Sequence, residues 1–113
     1  ARSGRPVVVD CPAGAGPDAA TPLRAADATL LVTTLCAPAL RDAAKTAAMA
    51  RTLDAPPRGV VLTRTRSAPE AVVDLLGCPV VASIPTVDPP ILADETVRTA
   101  YRRLAARLGE DLL

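Results

Sequence analysis

The residues from Pro6 to Gly16, Pro-Val-Val-Val-Asp-Cys-Pro-Ala-Gly-Ala-Gly, place a carboxylate between a β-branched run and a loop of proline and glycine. An apolar run without alternation, such as Val7-Val8-Val9, is the pattern of a strand covered on both faces in a parallel sheet. Asp10 then falls at the carboxyl end of that strand, the edge where ligands of open parallel sheets gather. A carboxylate held there can carry a magnesium ion directly or through its waters. Beyond it Pro12 stiffens the loop, while Gly14 and Gly16 let backbone N–H groups approach a phosphate oxygen. An Asp that closes a strand also serves as a turn former or a helix cap, and spacing alone leaves both readings standing.

Three blocks raise the first reading. Val7-Val8-Val9-Asp10-Cys11-Pro12-Ala13-Gly14, then Ala25 to Thr34 (Ala-Ala-Asp-Ala-Thr-Leu-Leu-Val-Thr-Thr), then Leu40-Arg41-Asp42-Ala43 resemble, in this order, the second half of a MinD/ParA-type P-loop ATPase. The resemblance implies that Asp10 is both the metal-supporting and the catalytic acid, tuning magnesium and its water, and that Pro12 and Gly14 sense the γ-phosphate of ATP. It also implies an adenine contact at Thr63-Arg64 and a second beside Pro85-Thr86-Val87-Asp88. The family usually has Asn-Arg at the first of these. The hydroxyl of Thr63 cannot present the paired donor and acceptor of a carboxamide, whereas Arg64 can stack on a base or stand exposed on its loop.

The departure is as informative as the match. A P-loop needs clustered glycines followed by Lys and Ser or Thr, so that N–H groups and an ammonium surround the phosphates. The only lysine, Lys45, precedes Thr46 but follows Ala43 and Ala44 in an alanine-rich helical stretch, and reads as a helix-surface residue. The sequence therefore reads as the carboxy-terminal half of such a domain, either a piece of a longer chain or a homologue without its catalytic half.

Composition sets the frame for these residues. The chain has 113 residues, 50% of them hydrophobic, with no Trp or Phe and one Tyr, so one domain with an aliphatic core is expected. A net charge of +1 carries no polyanion signal. Cys11, Cys36 and Cys78 form no C-x-x-C pair, and the absence of histidine removes the usual zinc sets, which favours a reduced, cytoplasmic setting. Cys11 reads either as an exposed thiol at the site or as a small buried side chain.

The elements that must position these groups follow from periodicity. Residues 1–5 are expected to be a disordered tail and residues 6–113 the folded half-domain. Strands are expected at 6–10, 28–34, 59–63 and 79–84, with β-rich buried patterns. Helices are expected from Asp18 to Ala26, from Pro38 to about Leu53, from a Ser67-Ala68-Pro69-Glu70 capping box to Leu76, and from Glu95 to Leu108. One hydroxyl of Thr33-Thr34 should bond neighbouring backbone. The last helix sets Val97, Tyr101, Leu104, Ala105 and Leu108 against Arg98, Arg102, Arg103 and Arg107. Its arginines allow a nucleic-acid or membrane reading, but docking on the sheet with solvated arginines is favoured, and Glu110-Asp111-Leu112-Leu113 is too short for a stable membrane anchor.

The fold class is therefore α/β, a parallel sheet of about four strands with flanking helices, as in a partial P-loop NTPase fold. Its upstream strand would lie between 6–10 and 28–34, leaving either a slot or a direct pairing of those two. Two functions are in view. One is an ATP-binding switch with ATP and magnesium as cofactors and ATP-dependent homodimerisation in the intact domain, this chain alone being inactive because it lacks the P-loop lysine. The other is a non-catalytic module that regulates a complete ATPase partner.

Overall fold

The computed structural model describes residues 5–12 and 14–109. The expected tail falls outside these residues apart from Arg5, as do positions 110–113. The chain runs α1 (Pro17–Ala25), β1 (Thr29–Thr34), α2 (Ala37–Thr52), β2 (Pro57–Thr63), α3 (Glu70–Leu76), β3 (Val80–Ile84), a 3-10 turn (Ile91–Ala93) and α4 (Glu95–Arg107). The sheet is parallel and ordered β1-β2-β3, so β2 is its centre and the other two strands are its edges.

Each strand's burial follows from what covers it. β2 is buried from Gly59 to Leu62, and its alternate residues feed two cores. On one face Leu31, Val60 and Leu62 meet Ala43 and Ala47 of α2 and Val72 and Leu76 of α3. On the other, Val61, Val81 and Ile84 meet Val97 of α4. The alanines of α2 bring its backbone close to the sheet, which is why an aliphatic core without Phe or Trp packs tightly. A third cluster, Leu23, Ala50 and Ala55, ties α1 to the end of α2.

Local chemistry sets the ends. Asp94 caps α4 by accepting hydrogen bonds from the N–H groups of Thr96 (2.9 Å) and Val97 (3.2 Å). Gly77 closes α3 in the left-handed region at φ 71°, and the Arg51 guanidinium of α2 donates to the Leu76 carbonyl at the same place.

Four expectations are corrected. The sheet has three strands, because residues 6–10 form none: Val7, Val8 and Val9 are 63%, 80% and 59% exposed. A strand is held by a neighbour's backbone, and no neighbour stands beside these valines among the described residues. β1 is only partly covered on the face under α4: Leu30 packs against the cluster of Val61, Val81 and Val97, whereas Val32, on the same face, is 63% exposed. The capping box does not form: α3 starts at Glu70 with Pro69 as its N-cap, since a residue before proline is pushed out of the helical region and Ala68 cannot begin a turn. The seam of α4 is Val97, Ala100 and Leu104, with Tyr101 and Ala105 exposed.

Gly59 marks the tightest contact between neighbouring strands. A Cβ there would lie 2.8 Å from Cγ1 and 3.2 Å from Cγ2 of Val81, a stiff β-branched side chain that cannot swing away. Gly59→Ala is expected to destabilise the fold by about 1–3 kcal/mol in urea unfolding. Combined with Val81→Ala, it should cost less than the sum of the two single changes, because the clash is gone.

Candidate functional site

A parallel sheet delivers all its carboxyl ends to one rim. Here Thr34, Thr63 and Ile84 stand in register across the three strands. The next residue of each strand's chain extends that row: Leu35 leads to α2, Arg64 follows β2, and Pro85, buried, follows β3. The Thr65 N–H donates to the Ile84 carbonyl at 3.1 Å, which fastens the exit of β2 to the exit of β3. Arg64 turns this corner with φ 59°, a left-handed conformation that costs an L-residue about 1–2 kcal/mol, and its side chain is exposed. Thr63, Arg64 and Pro85, the expected base-side residues, are thus brought together.

The expected phosphate-side residues are held differently. Asp10 and Pro12 are exposed on the segment before α1, and Asp10 makes no hydrogen bond or ion pair among the described residues. Gly14 is half-buried at φ 99°, a conformation glycine adopts freely, and open space lies where Cβ atoms would stand at Gly14 and Gly16. The Gly14 carbonyl accepts the Thr46 hydroxyl at 2.9 Å, and that hydroxyl is also 3.0 Å from the Asp42 carbonyl. Thr46 lies nine residues beyond the first residue of α2, about 14 Å along the axis at the standard helical rise. The loop is therefore anchored on the flank of α2 rather than on the row of strand ends. No strand fixes Asp10, which corrects the expected placement of this acid.

These positions bear on magnesium and ATP. Among the described residues no group of three His, Cys, Asp or Glu forms a metal cage. The Asp10 carboxylate is exposed and unpaired among the described residues, and open space surrounds the Cβ positions of Gly14 and Gly16, so neither is crowded against a ligand. An ammonium for those phosphates is not supplied by Lys45, which is exposed on α2.

Sequence reasoning missed Cys36. It is the N-cap of α2, exposed, with its sulfur 3.4 Å from the Thr34 hydroxyl at the rim. The Thr34 hydroxyl, and then the Ala39 N–H, favour the thiolate and lower its pKa below that of an ordinary thiol. The signal was legible in Cys36-Ala37-Pro38, where a proline in the first helical turn makes the cysteine the capping position. Cys78 is the opposite case, its thiol pushed up by burial, with the Arg51 charge opposing that shift. Thr33 bonds the Thr34 carbonyl through its hydroxyl at 3.0 Å, as expected for one of the pair. Comparison with protein-family models, curated proteins and solved structures finds no match to this chain.

The thiols should therefore separate by rate. With iodoacetamide at neutral pH, Cys36 is expected to alkylate well ahead of Cys78, read by peptide mass spectrometry. Because the folded pKa of Cys36 is lowered, its rate should rise at lower pH than in the urea-unfolded chain. Thr34→Val should move that rise back towards the unfolded value.

Proposed function

We propose that these residues form the carboxy-terminal half of a MinD/ParA-like ATP switch, in which ATP and magnesium bind at the strand ends of the intact domain and hydrolysis controls dimerisation. The observation that supports this reading is the bare flank of the sheet. Among the described residues β1 has no neighbour on its outer edge, and Val32 is 63% exposed, while Val7, Val8 and Val9 stand uncovered at 63%, 80% and 59%. One further strand between the two segments would pair with both backbones. A helix packed over the enlarged sheet would cover the valines, whose full burial contributes about 1.5–3 kcal/mol each, so the arrangement favours acquiring that strand with its covering layer. A gap of this kind would be the slot that the resemblance implies. Docking it would also draw Val7–Val9 into the sheet and carry Asp10 to the rim beside Thr34, Thr63 and Arg64.

Catalysis in such a switch is positioning and charge neutralisation. When bound, magnesium would neutralise phosphate charge. Asp10 would orient water around the ion, the N–H groups near Gly14 would meet the γ-phosphate, and Arg64 and Pro85 would flank the base. The chain by itself supplies the carboxylate and the base side but no phosphate-cradling ammonium, so it should not hydrolyse ATP. Arg41 and Asp42, exposed near the start of α2, are available to a partner subunit. One observation favours the second reading, a regulatory module for a complete ATPase: nothing among the described residues holds Asp10 in a metal-binding pose.

Two measurements decide. Calorimetric titration of this chain with ATP and magnesium should give no tight binding, and tight binding would contradict the division of the site between two halves. If the gene continues upstream in frame into a glycine-rich Lys-Ser/Thr loop, the longer chain should bind and hydrolyse ATP. In that longer chain Asp10→Asn should lower kcat by about a hundredfold. A start codon immediately before Ala1 would overturn the ATPase reading in favour of the regulator.

A further inference from the structure

The opposite edge of the sheet carries a different feature. Among the described residues β3 has no strand beyond it, and a groove of ≈ 590 Å³ runs along that free edge. Its floor is Val80 to Ser83, one wall is the flank of α4 that carries Glu95, Thr96, Thr99 and Arg103, and the other wall is the link bearing Arg66. In a parallel ladder alternate residues turn both backbone groups to the same neighbour, so part of the N–H and C=O row of β3 points into this groove. Proteins commonly blunt such an edge with a charge on the strand, a bulge or a covering segment. β3 itself, Val-Val-Ala-Ser-Ile, carries no charge, prolines stand only before and after it, and a register shift against β2 leaves Val81 as an extra residue between Val80 and Ala82. The nearest cover is the link at Ser67, whose carbonyl accepts the Ser83 hydroxyl at 3.0 Å, and it closes one end only.

The groove has a definite charge. Glu95 is neutralised from its own helix by Arg98 and by Arg102 at 3.5 Å, and its carboxyl is held below the usual range chiefly by the hydrogen bond from Arg98. Arg66 and Arg103 make no ion pair among the described residues, so both charges are left for an occupant. They come from different elements, Arg66 from the link after β2 and Arg103 from α4. Arg66 follows the Thr65 N–H that bonds the Ile84 carbonyl, at the carboxyl end of β3. Arg103 lies eight residues along α4 from Glu95, about 12 Å at the standard helical rise. An extended chain can present a carboxylate to each arginine, since residues on one face of a strand repeat every 6–7 Å or so.

We propose that the β3 edge receives an extended acidic segment of a partner protein as an added strand, its backbone pairing along Val80–Ala82 and its carboxylates meeting Arg66 and Arg103. Main-chain hydrogen bonds supply affinity and the arginines select for acidic residues, the division of labour of strand-addition recognition. The hydroxyls of Thr96 and Thr99 offer further partners along the helical wall. This surface is separate from the bare flank of β1 and stands independently of the nucleotide reading.

The test uses three fluorescein-labelled octapeptides: one alternating Glu and Val, its Lys and Val counterpart, and the acidic peptide N-methylated at alternate residues. Fluorescence anisotropy with this chain should show binding of the first only, weakened at least tenfold by the double change Arg66→Glu and Arg103→Glu, both at exposed positions. Amide hydrogen exchange should show added protection within 80–84 and none within 29–34. Equal binding of the Lys peptide, unchanged binding after N-methylation, protection confined to β1, or no binding by any peptide would each overturn the proposal. So would concentration-dependent dimerisation of the free chain that protects 80–84, since the edge would then belong to a second copy.

Discussion

A β-strand is stable only when neighbours satisfy its backbone on both sides and cover its two faces, and in this protein β2 alone meets all four conditions. Its parallel pairing with β1 and β3 satisfies the backbone, and the two cores close over its alternate side chains. Gly59 shows how closely the strands are drawn, since there is no room for a Cβ beside Val81. The other elements are placed by their service to this strand. α2 and α3 cover one face, α4 covers the second, and α1 locks the far end of α2 through Leu23, Ala50 and Ala55.

Each edge strand meets only part of those conditions, and the unmet part differs. At β1 the deficit is apolar: a partly covered face with Val32 exposed, and three exposed valines earlier in the chain. At β3 the deficit is polar: a free backbone row between two walls that each contribute an arginine. Apolar surface of the first kind is relieved by more sheet, whereas a backbone row flanked by charge is relieved by a charged chain. The two edges therefore point to different partners, one continuing the fold and the other binding to it.

The candidate site is divided along the same line. Thr63, Arg64 and Pro85 are carried to the rim by strands that exist, and the bond from Thr65 to Ile84 keeps them together. Asp10, Pro12 and Gly14 belong to a segment that has no strand to carry it and is tied through Gly14 to Thr46 on α2. The left-handed turn at Arg64 is the one strained backbone position on the rim, and it throws the guanidinium outwards.

Short-range physics was legible in the sequence. The apolar runs of β1, β2 and β3, the proline near the start of α2, the glycine that ends α3 and the surface position of Lys45 depend on neighbours a few residues away, and the structure has them where periodicity and turn chemistry put them. The α/β class with a parallel sheet follows from their alternation. The failures came where a long-range partner decides. Val7-Val8-Val9 has the composition of a buried strand, yet β propensity cannot create the neighbour that would pair with it. How far α4 reaches over β1 and where Gly14 is anchored both depend on residues brought together only by packing. A sequence states what each segment can bury. Only the tertiary structure decides what is there to bury it against.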